Sequence, residues 1–332
     1  MTGRTENRIK TENNIYRILR TLPDCATSYY YSIASGLEPK ACLEYIKKVK
    51  NFLAYIDENT KEVNVEKISQ IDVAKYMHSI ETKSDINGAI TETTFSYRKM
   101  VHSVLNSFFE YLYVNSYVSS NPLNQIRRPK GTNSVKRYHL TSENFQEILK
   151  QVDDGAGSKR ATNRQKKWHS RDYAIMVLLM CTGMRETALT EINLDDIDWN
   201  NETLTVIDKR YTTHVYHINN KMRDALKVWL FDRECVLNGI HCDALFISNQ
   251  RQRISSDSVG DIVRKYSKDA LGIALSPHKI RSAFCTILYD QTGDIEFVRD
   301  AVGHRSAETT QRYIVKDGFT KEKSASIIND LL

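Results

Sequence analysis

The sequence predicts a mainly α protein with a small antiparallel β-sheet, built as a helical domain followed by a mixed α+β domain. Three observations carry this. The first 120 residues hold long segments with apolar residues at three- and four-residue spacing. A basic stretch containing proline and glycine then interrupts the helical pattern. Beyond it, one segment rich in Thr, Val, Ile and Tyr alternates partially, as strands do. A chain of 332 residues is long enough for two separate cores, and 41% hydrophobic with 27% charged residues is the composition of a folded chain.

In chain order, 40–57 (KACLEYIKKVKNFLAYID) and 93–114 (TTFSYRKMVHSVLNSFFEYLYV) are amphipathic helices, the second following Thr91 as a candidate N-cap. A shorter helix is expected at 70–80. Residues 121–137 (NPLNQIRRPKGTNSVKR) hold two prolines, a glycine, five Lys/Arg and no acid. Domain boundaries follow at 1–125, a linker at 126–137, and 138–332. A connector with cations of one sign is either simply solvated or laid against a phosphate backbone; the second reading makes Arg127, Arg128, Lys130, Lys136 and Arg137 candidate DNA contacts, with Arg98 and Lys99 of the preceding helix.

In the second domain, Thr141 or Ser142 opens a helix and 153–171 (DDGAGSKRATNRQKKWHSR) reads as an exposed basic loop. A fully buried helix is expected over 172–182 and a hairpin over 203–218. Helices at 220–232, 256–271, 276–290 and 294–302 complete the order.

The net charge of +6 and pI near 8.8 favour a polyanionic partner. Six cysteines (Cys25, Cys42, Cys181, Cys235, Cys242, Cys285) form no C-x-x-C pair, and His241 with Cys242 near Cys235 fits no zinc spacing. The opening MTGRTENRIKTENN has no apolar run, so no signal peptide is expected. The longest apolar stretch, AIMVLLMC at 174–181, is under half a membrane span. These features point to a soluble, reduced, cytoplasmic protein with no membrane contact.

Four places gather groups suited to a phosphodiester. In TGMRETAL (182–189), Gly183 ends the buried helix and Arg185 follows at once, facing an anion or paired with Asp195 or Asp196. In SPHKIRSAFCTILYD (276–290), Ser276 and Pro277 start a helix whose core stripe is Ile280, Ala283, Phe284 and Ile287. His278, Arg281 and Cys285 share another side, close to the helix N-terminus. Lys209 lies in the hairpin turn. In GHRSAETTQRY (303–313), Gly303 ends a helix, His304 follows, Ser306 caps the next helix, and Tyr313 sits near its end.

Together these residues resemble the tyrosine recombinase family, the phage integrases and Xer proteins. TGMR is similar to its T-G-[LM]-R, PHKIR to its P-H-x-[LI]-R, and GHRSAETTQRY to its G-H…T-x-x-Y. Lys209 falls at the place of the family's hairpin lysine. The start of the chain resembles Xer-type and integrative-element recombinases of Gram-positive bacteria. The resemblance implies a helical, SAM-like core-binding DNA-binding domain followed by a tyrosine-recombinase catalytic domain. It implies a catalytic set of Arg185, Lys209, His278, Arg281, His304 and the nucleophile Tyr313. One position departs: where the family carries an acid three residues after the first arginine stands Ala188. Glu186 points about 160° away from the Ala188 direction on a helix of 100° per residue.

A phenol with an ordinary pKa of about 10 is a weak nucleophile at neutral pH, and its attack builds charge on the phosphate oxygens. The resemblance gives Arg185 and Arg281 those oxygens, with His304 as a third donor. His278 accepts or orients the tyrosine proton, and Lys209 protonates the departing 5′-oxygen. The product is a 3′-phosphotyrosyl link and a free 5′-hydroxyl, rejoined without ATP. No metal or other cofactor is expected. The implied function is site-specific DNA recombination (integration, excision or dimer resolution) by a homo-tetramer on paired duplex sites. The C-terminal tail, with Ile327, Ile328, Leu331 and Leu332 in an amphipathic helix, either packs within its own domain or, as the resemblance implies, docks on a neighbouring protomer. Two other readings remain: a type IB topoisomerase-like nicking–closing enzyme, or a catalytically silent DNA-binding regulator, which Ala188 makes conceivable.

Overall fold

A computed structural model describes residues 3–60, 63–84, 88–131, 138–207, 212–303 and 306–314. The chain divides into two compact units, Arg4–Lys136 and Arg137–Leu332, the latter joined by Met1–Gly3.

The first unit carries helices α1 (Gly3–Leu19), α2 (Asp24–Ala34), α3 (Pro39–Thr60), α4 (Gln70–Ser79) and α5 (Phe95–Val114). Its core is strongly aromatic. Phe52 meets Phe109 edge to face at 5.7 Å and Tyr29 meets Phe108 at 5.2 Å, all four fully buried. A capping box starts α4: Asp72 N–H donates to Ser69 Oγ, and Ser69 N–H donates to the Asp72 carboxylate at 2.9 Å.

The helical expectation for this unit misses a short hairpin. Strands β1 (Thr82–Ser84) and β2 (Ile90–Glu92) pair antiparallel, with Lys83 opposite Thr91. Thr91 is therefore a strand residue, and Thr94 caps α5 by accepting from Tyr97 N–H at 3.2 Å. The cause is local. Thr93 donates its amide to Glu81 O (2.8 Å) and its hydroxyl to Ile80 O (2.7 Å), which prolongs the extended pairing to the helix start.

The second unit runs α6 (Ser142–Asp154), α7 (Lys159–Gln165), α8 (His169–Thr182), α9 (Glu186–Glu191), strands β3 (Ile197–Asp198), β4 (Thr203–Ile207) and β5 (Thr213–His217), then α10 (Asn220–Leu237), α11 (Ser256–Leu271), α12 (Pro277–Thr292), α13 (Ile295–Val302) and α14 (Ala307–Tyr313). The strands form one antiparallel sheet in the order β3-β4-β5, with Val206 opposite His214 and Leu204 opposite Tyr216. α8 is the core helix: from Ala174 to Met180 every residue is buried.

The basic stretch at 153–171 is not a loop. It holds α7, a 3-10 turn at Lys166–Trp168, and the first turn of α8. Ser158 caps α7, and the Gln165 side chain binds Ala156 both ways, accepting from its N–H (2.9 Å) and donating to its carbonyl (2.7 Å). Such side chain-to-backbone closure leaves no periodic trace in the sequence. Among the described residues, no helix is long and apolar enough to cross a membrane.

Candidate active site

The site is assembled where three helix ends meet. α8 stops at Gly183, whose φ of 58° is left-handed and whose added Cβ would lie 2.4 Å from the Phe284 ring. Glycine is required there on both counts. The Thr182 hydroxyl tightens the turn, donating to Leu178 O (2.6 Å) and accepting from Met184 N–H (3.2 Å). The extended residue that follows is Arg185, the N-cap position of α9. It is half-buried. Desolvation first, and then the charge of Arg281, pull its guanidinium below the usual arginine range.

Arg281, on α12, is 2% exposed. Its Nη1 donates to the Gly183 carbonyl at 2.5 Å and its Nη2 to the Val302 carbonyl at 2.8 Å. These carbonyls stand at the C-terminal ends of α8 and α13, where unsatisfied oxygens carry partial negative charge. One guanidinium thus ties together the turn before Arg185 and the turn before α14. Its Nε, also buried, has no hydrogen-bond partner among the described residues. On a helical wheel Arg281 and Cys285 lie apart from the core stripe. Both are buried, because α12 packs on two sides: Ile280 and Ala283 face the main core, while Cys285 joins Val298, Val302 and Ile314 in a second cluster.

α14 presents Tyr313. Ser306 caps this helix by accepting from Thr309 N–H at 3.2 Å, and Thr310 is wholly buried beneath it. The Ser282 hydroxyl donates to the Tyr313 carbonyl at 2.5 Å, pinning the end of the helix to α12. The Tyr313 ring lies 4.8 Å from the His278 ring, and Arg281 Cζ lies 5.7 Å from the Tyr313 ring centroid. His278, one turn before Arg281, is an exposed residue of α12. Desolvation by the packed chain beside it still holds its imidazole below the ordinary value, against an opposing pull from Glu186. The neutral form is therefore favoured near pH 7.

Glu186 is the first residue of α9, and its charge acts on both His278 and Arg185. Ala188 is 3% exposed and faces the core. The helix thus turns position 188 inward, while the acid at 186 acts on the site.

Of the residues expected from sequence, Arg185, His278, Arg281 and Tyr313 are brought together. Lys209 and His304 lie outside the described residues, as do Lys136 and Arg137; β4 ends at Ile207 and β5 resumes at Thr213. Two residues missed in the sequence also face the site. His214 and Tyr216, on the inward face of β5, both respond to the charges of Arg185 and Arg281. The signal was the alternation in T-H-V-Y-H, which puts 214 and 216 on one face.

In the first unit, Arg98, Arg127 and Lys130 line one cleft with Phe95, Ile126 and Pro129. Arg98 is largely buried: its guanidinium stacks 4.4 Å from the Phe95 centroid and its Nη1 is 3.9 Å from Glu81. Lys99 donates to Gly131 O at 3.1 Å, and Arg128 to Ser103 Oγ at 3.3 Å.

Comparison with known proteins gives the family and the fold. Residues 139–318 match the model of the phage integrase family. The chain is 32% identical over 212 residues to the tyrosine recombinase XerC of Alcanivorax borkumensis, covering 64% of this chain and 66%, just under two thirds, of that one. It is 27% identical to XerC of Pseudomonas syringae pv. syringae, covering 83% and 85%. A lambda integrase (75–356) dimer bound to a COC′ core site shares the fold at a TM-score of 0.62, with 18% identity and coverage of 90% and 96%. The Tn1549 transposon integrase in complex with circular intermediate DNA does so at 0.60, with 16% identity and coverage of 91% and 98%.

Proposed function

The chain belongs to the phage integrase family, and on that premise we propose how its residues perform strand exchange. The protein is a tyrosine-type site-specific DNA recombinase. Tyr313 attacks the scissile phosphate, forming a 3′-phosphotyrosyl bond and releasing a 5′-hydroxyl; attack of a 5′-hydroxyl on that bond rejoins the strand and frees the phenol. Arg185 and Arg281 bind the phosphate oxygens as charge builds. His278, neutral at working pH, takes the phenol proton. His304 is assigned as a third donor and Lys209 as the acid for the leaving oxygen. The cations Arg98, Lys99, Arg127, Arg128, Lys130, Lys136 and Arg137 hold the duplex, with domains at 1–125 and 138–332 joined by the basic linker. The working form is a cytoplasmic homo-tetramer on two DNA sites, with the tail of one protomer docked on the next.

The observation that carries this reading is Tyr313 beside His278 and Arg281 in its own unit, with its carbonyl held by Ser282. A silent regulator has no need of that arrangement. The experiment is covalent trapping. Wild-type protein and Tyr313→Phe are incubated in EDTA with a library of nicked random-sequence duplexes. A protease-sensitive adduct that survives SDS with wild type, and none with Tyr313→Phe, is expected. No adduct from wild type would return the protein to the regulator reading. Relaxation of a supercoiled plasmid lacking the captured site would favour the nicking–closing reading.

A further inference from the structure

The turn at residues 302–303 is held from two directions. From the α12 side, Arg281 Nη2 holds the Val302 carbonyl. From the sheet side, the His214 imidazole lies on Gly303. A Cβ placed on Gly303 would meet His214 Cε1 at 2.0 Å, Nε2 at 2.7 Å and Nδ1 at 2.9 Å. The edge of the ring bearing both nitrogens therefore faces the glycine, with no room for a methyl group between them. Gly303 is itself left-handed, with φ of 67°, and its N–H is bonded back to Arg299 and Asp300 of α13.

We propose that His214 is a positioning residue for cleavage: its ring braces the Gly303 turn against Arg281, and through that turn fixes the approach of α14 and Tyr313. The inference rests on the recombinase reading of the site.

Three features support it. His214 is the residue of β5 paired with Val206, just before the end of β4, so the brace comes from the two strands that flank residue 209. Its inward neighbour Tyr216 lies 6.3 Å away, ring to ring, and backs it within the sheet. The charged groups that act on it, Arg185 and Arg281, are both cationic. Desolvation first, and then these two charges, hold the imidazole below its ordinary value and favour the neutral ring, so it packs on the turn without adding a third cation beside the phosphate position. β5, α12 and the turn at 302–303 are thereby locked into one arrangement, as tight positioning of a nucleophile requires.

The test is a double-mutant cycle with His214→Ala and Gly303→Ala. The probe is the nicked duplex captured most often by wild-type protein from a random-sequence library. His214→Ala is expected to slow single-turnover adduct formation by about tenfold to a hundredfold, the range a displaced reacting group costs. Duplex affinity by gel shift should not change, and His214→Gln should recover part of the rate. Val215→Ala, on the exposed face of the same strand, should behave as wild type. The methyl of Gly303→Ala meets the His214 ring only when that ring is present, so the two substitutions should be non-additive, both in cleavage and in thermal melting. The melting arm uses no DNA, so it stands even if cleavage by wild type is never seen, an outcome that would count against the recombinase reading alone. Wild-type cleavage by His214→Ala, or strict additivity in melting, would overturn the proposal.

Discussion

Two buried arginines, one in each unit, share an unusual feature: among the described residues, Arg98 and Arg281 each bury an Nε that has no hydrogen-bond partner. They are held by different means. Arg281 is fixed by backbone, its two terminal nitrogens on the carbonyls that end α8 and α13. Arg98 is held by side chains, resting on the Phe95 ring with a long 3.9 Å ion pair to Glu81 in an open cleft. Backbone anchoring gives a rigid guanidinium, suited to a phosphate whose charge changes during reaction. Side-chain anchoring gives an adjustable one, suited to a phosphate that only has to be held. The difference predicts that damage at Arg281 should appear in chemistry and stability together, and damage at Arg98 in affinity.

The largest effect is expected at Arg281. Arg281→Ala strips two buried carbonyls of their donor, at about 1–3 kcal/mol each, and on the proposed mechanism also removes one phosphate ligand, worth about a hundredfold to a thousandfold in cleavage rate. Arg281→Lys should recover little, since an ammonium cannot fork onto two carbonyls. Single-turnover adduct formation and a thermal melt on the same samples check this. If Arg281→Ala melts as wild type does, the backbone clamp is not structural.

Ser282→Ala removes the bond to the Tyr313 carbonyl, a contact of about 0.5–1.5 kcal/mol. Cleavage should fall by up to about tenfold, the equivalent of that energy, with affinity for the duplex unchanged. Arg98→Ala should reverse this pattern. Affinity by gel shift should weaken, and the slope of log affinity against log salt should become shallower by about one unit. The cleavage rate at saturating DNA should stay near wild type. An effect of Arg98→Ala on that rate would erase the contrast between the two arginines.

A smaller effect concerns pH. The His278 value is lowered in the folded chain, so below the unfolded imidazole value of about 6.5 the unfolded chain binds the extra proton first. The stability associated with neutral His278 is thus present above that value and lost as pH falls through the folded one. His214, lowered in the same direction, adds to the trend. Melting temperature should decline from pH 7.5 to pH 5.5, and His278→Asn should flatten the decline. An unchanged slope in the variant would place the titration elsewhere.

Much of the site was legible in the sequence because its residues sit at helix ends, and helix ends have signatures. Gly183, Ser276 with Pro277, Gly303 and Ser306 mark the turns that deliver Arg185, His278 and Tyr313. Tertiary contacts were not legible. Nothing local distinguishes His214 from any histidine in a strand, since its contact is with a glycine 89 residues away. The burial of Arg281 depends on α13 and α14 covering the second side of α12, which a single helical wheel cannot register. Ala188 stands where the resemblance implies an acid. The fold turns that position into the core and leaves Glu186 acting on His278 and Arg185. The polar, basic composition of 153–171 suggests a loop, yet Ser158 and Gln165 close its middle into helical turns.

The most direct test of the account is the chemistry of the adduct itself. Covalent complex formed on the captured nicked duplex is digested with trypsin, and the peptide left on the DNA is sequenced by mass spectrometry while the attached strand end is mapped. A peptide containing Tyr313 linked through its phenolic oxygen to a 3′-phosphate is expected, with a free 5′-hydroxyl on the released strand. Linkage to another residue, or to a 5′-phosphate, would contradict it.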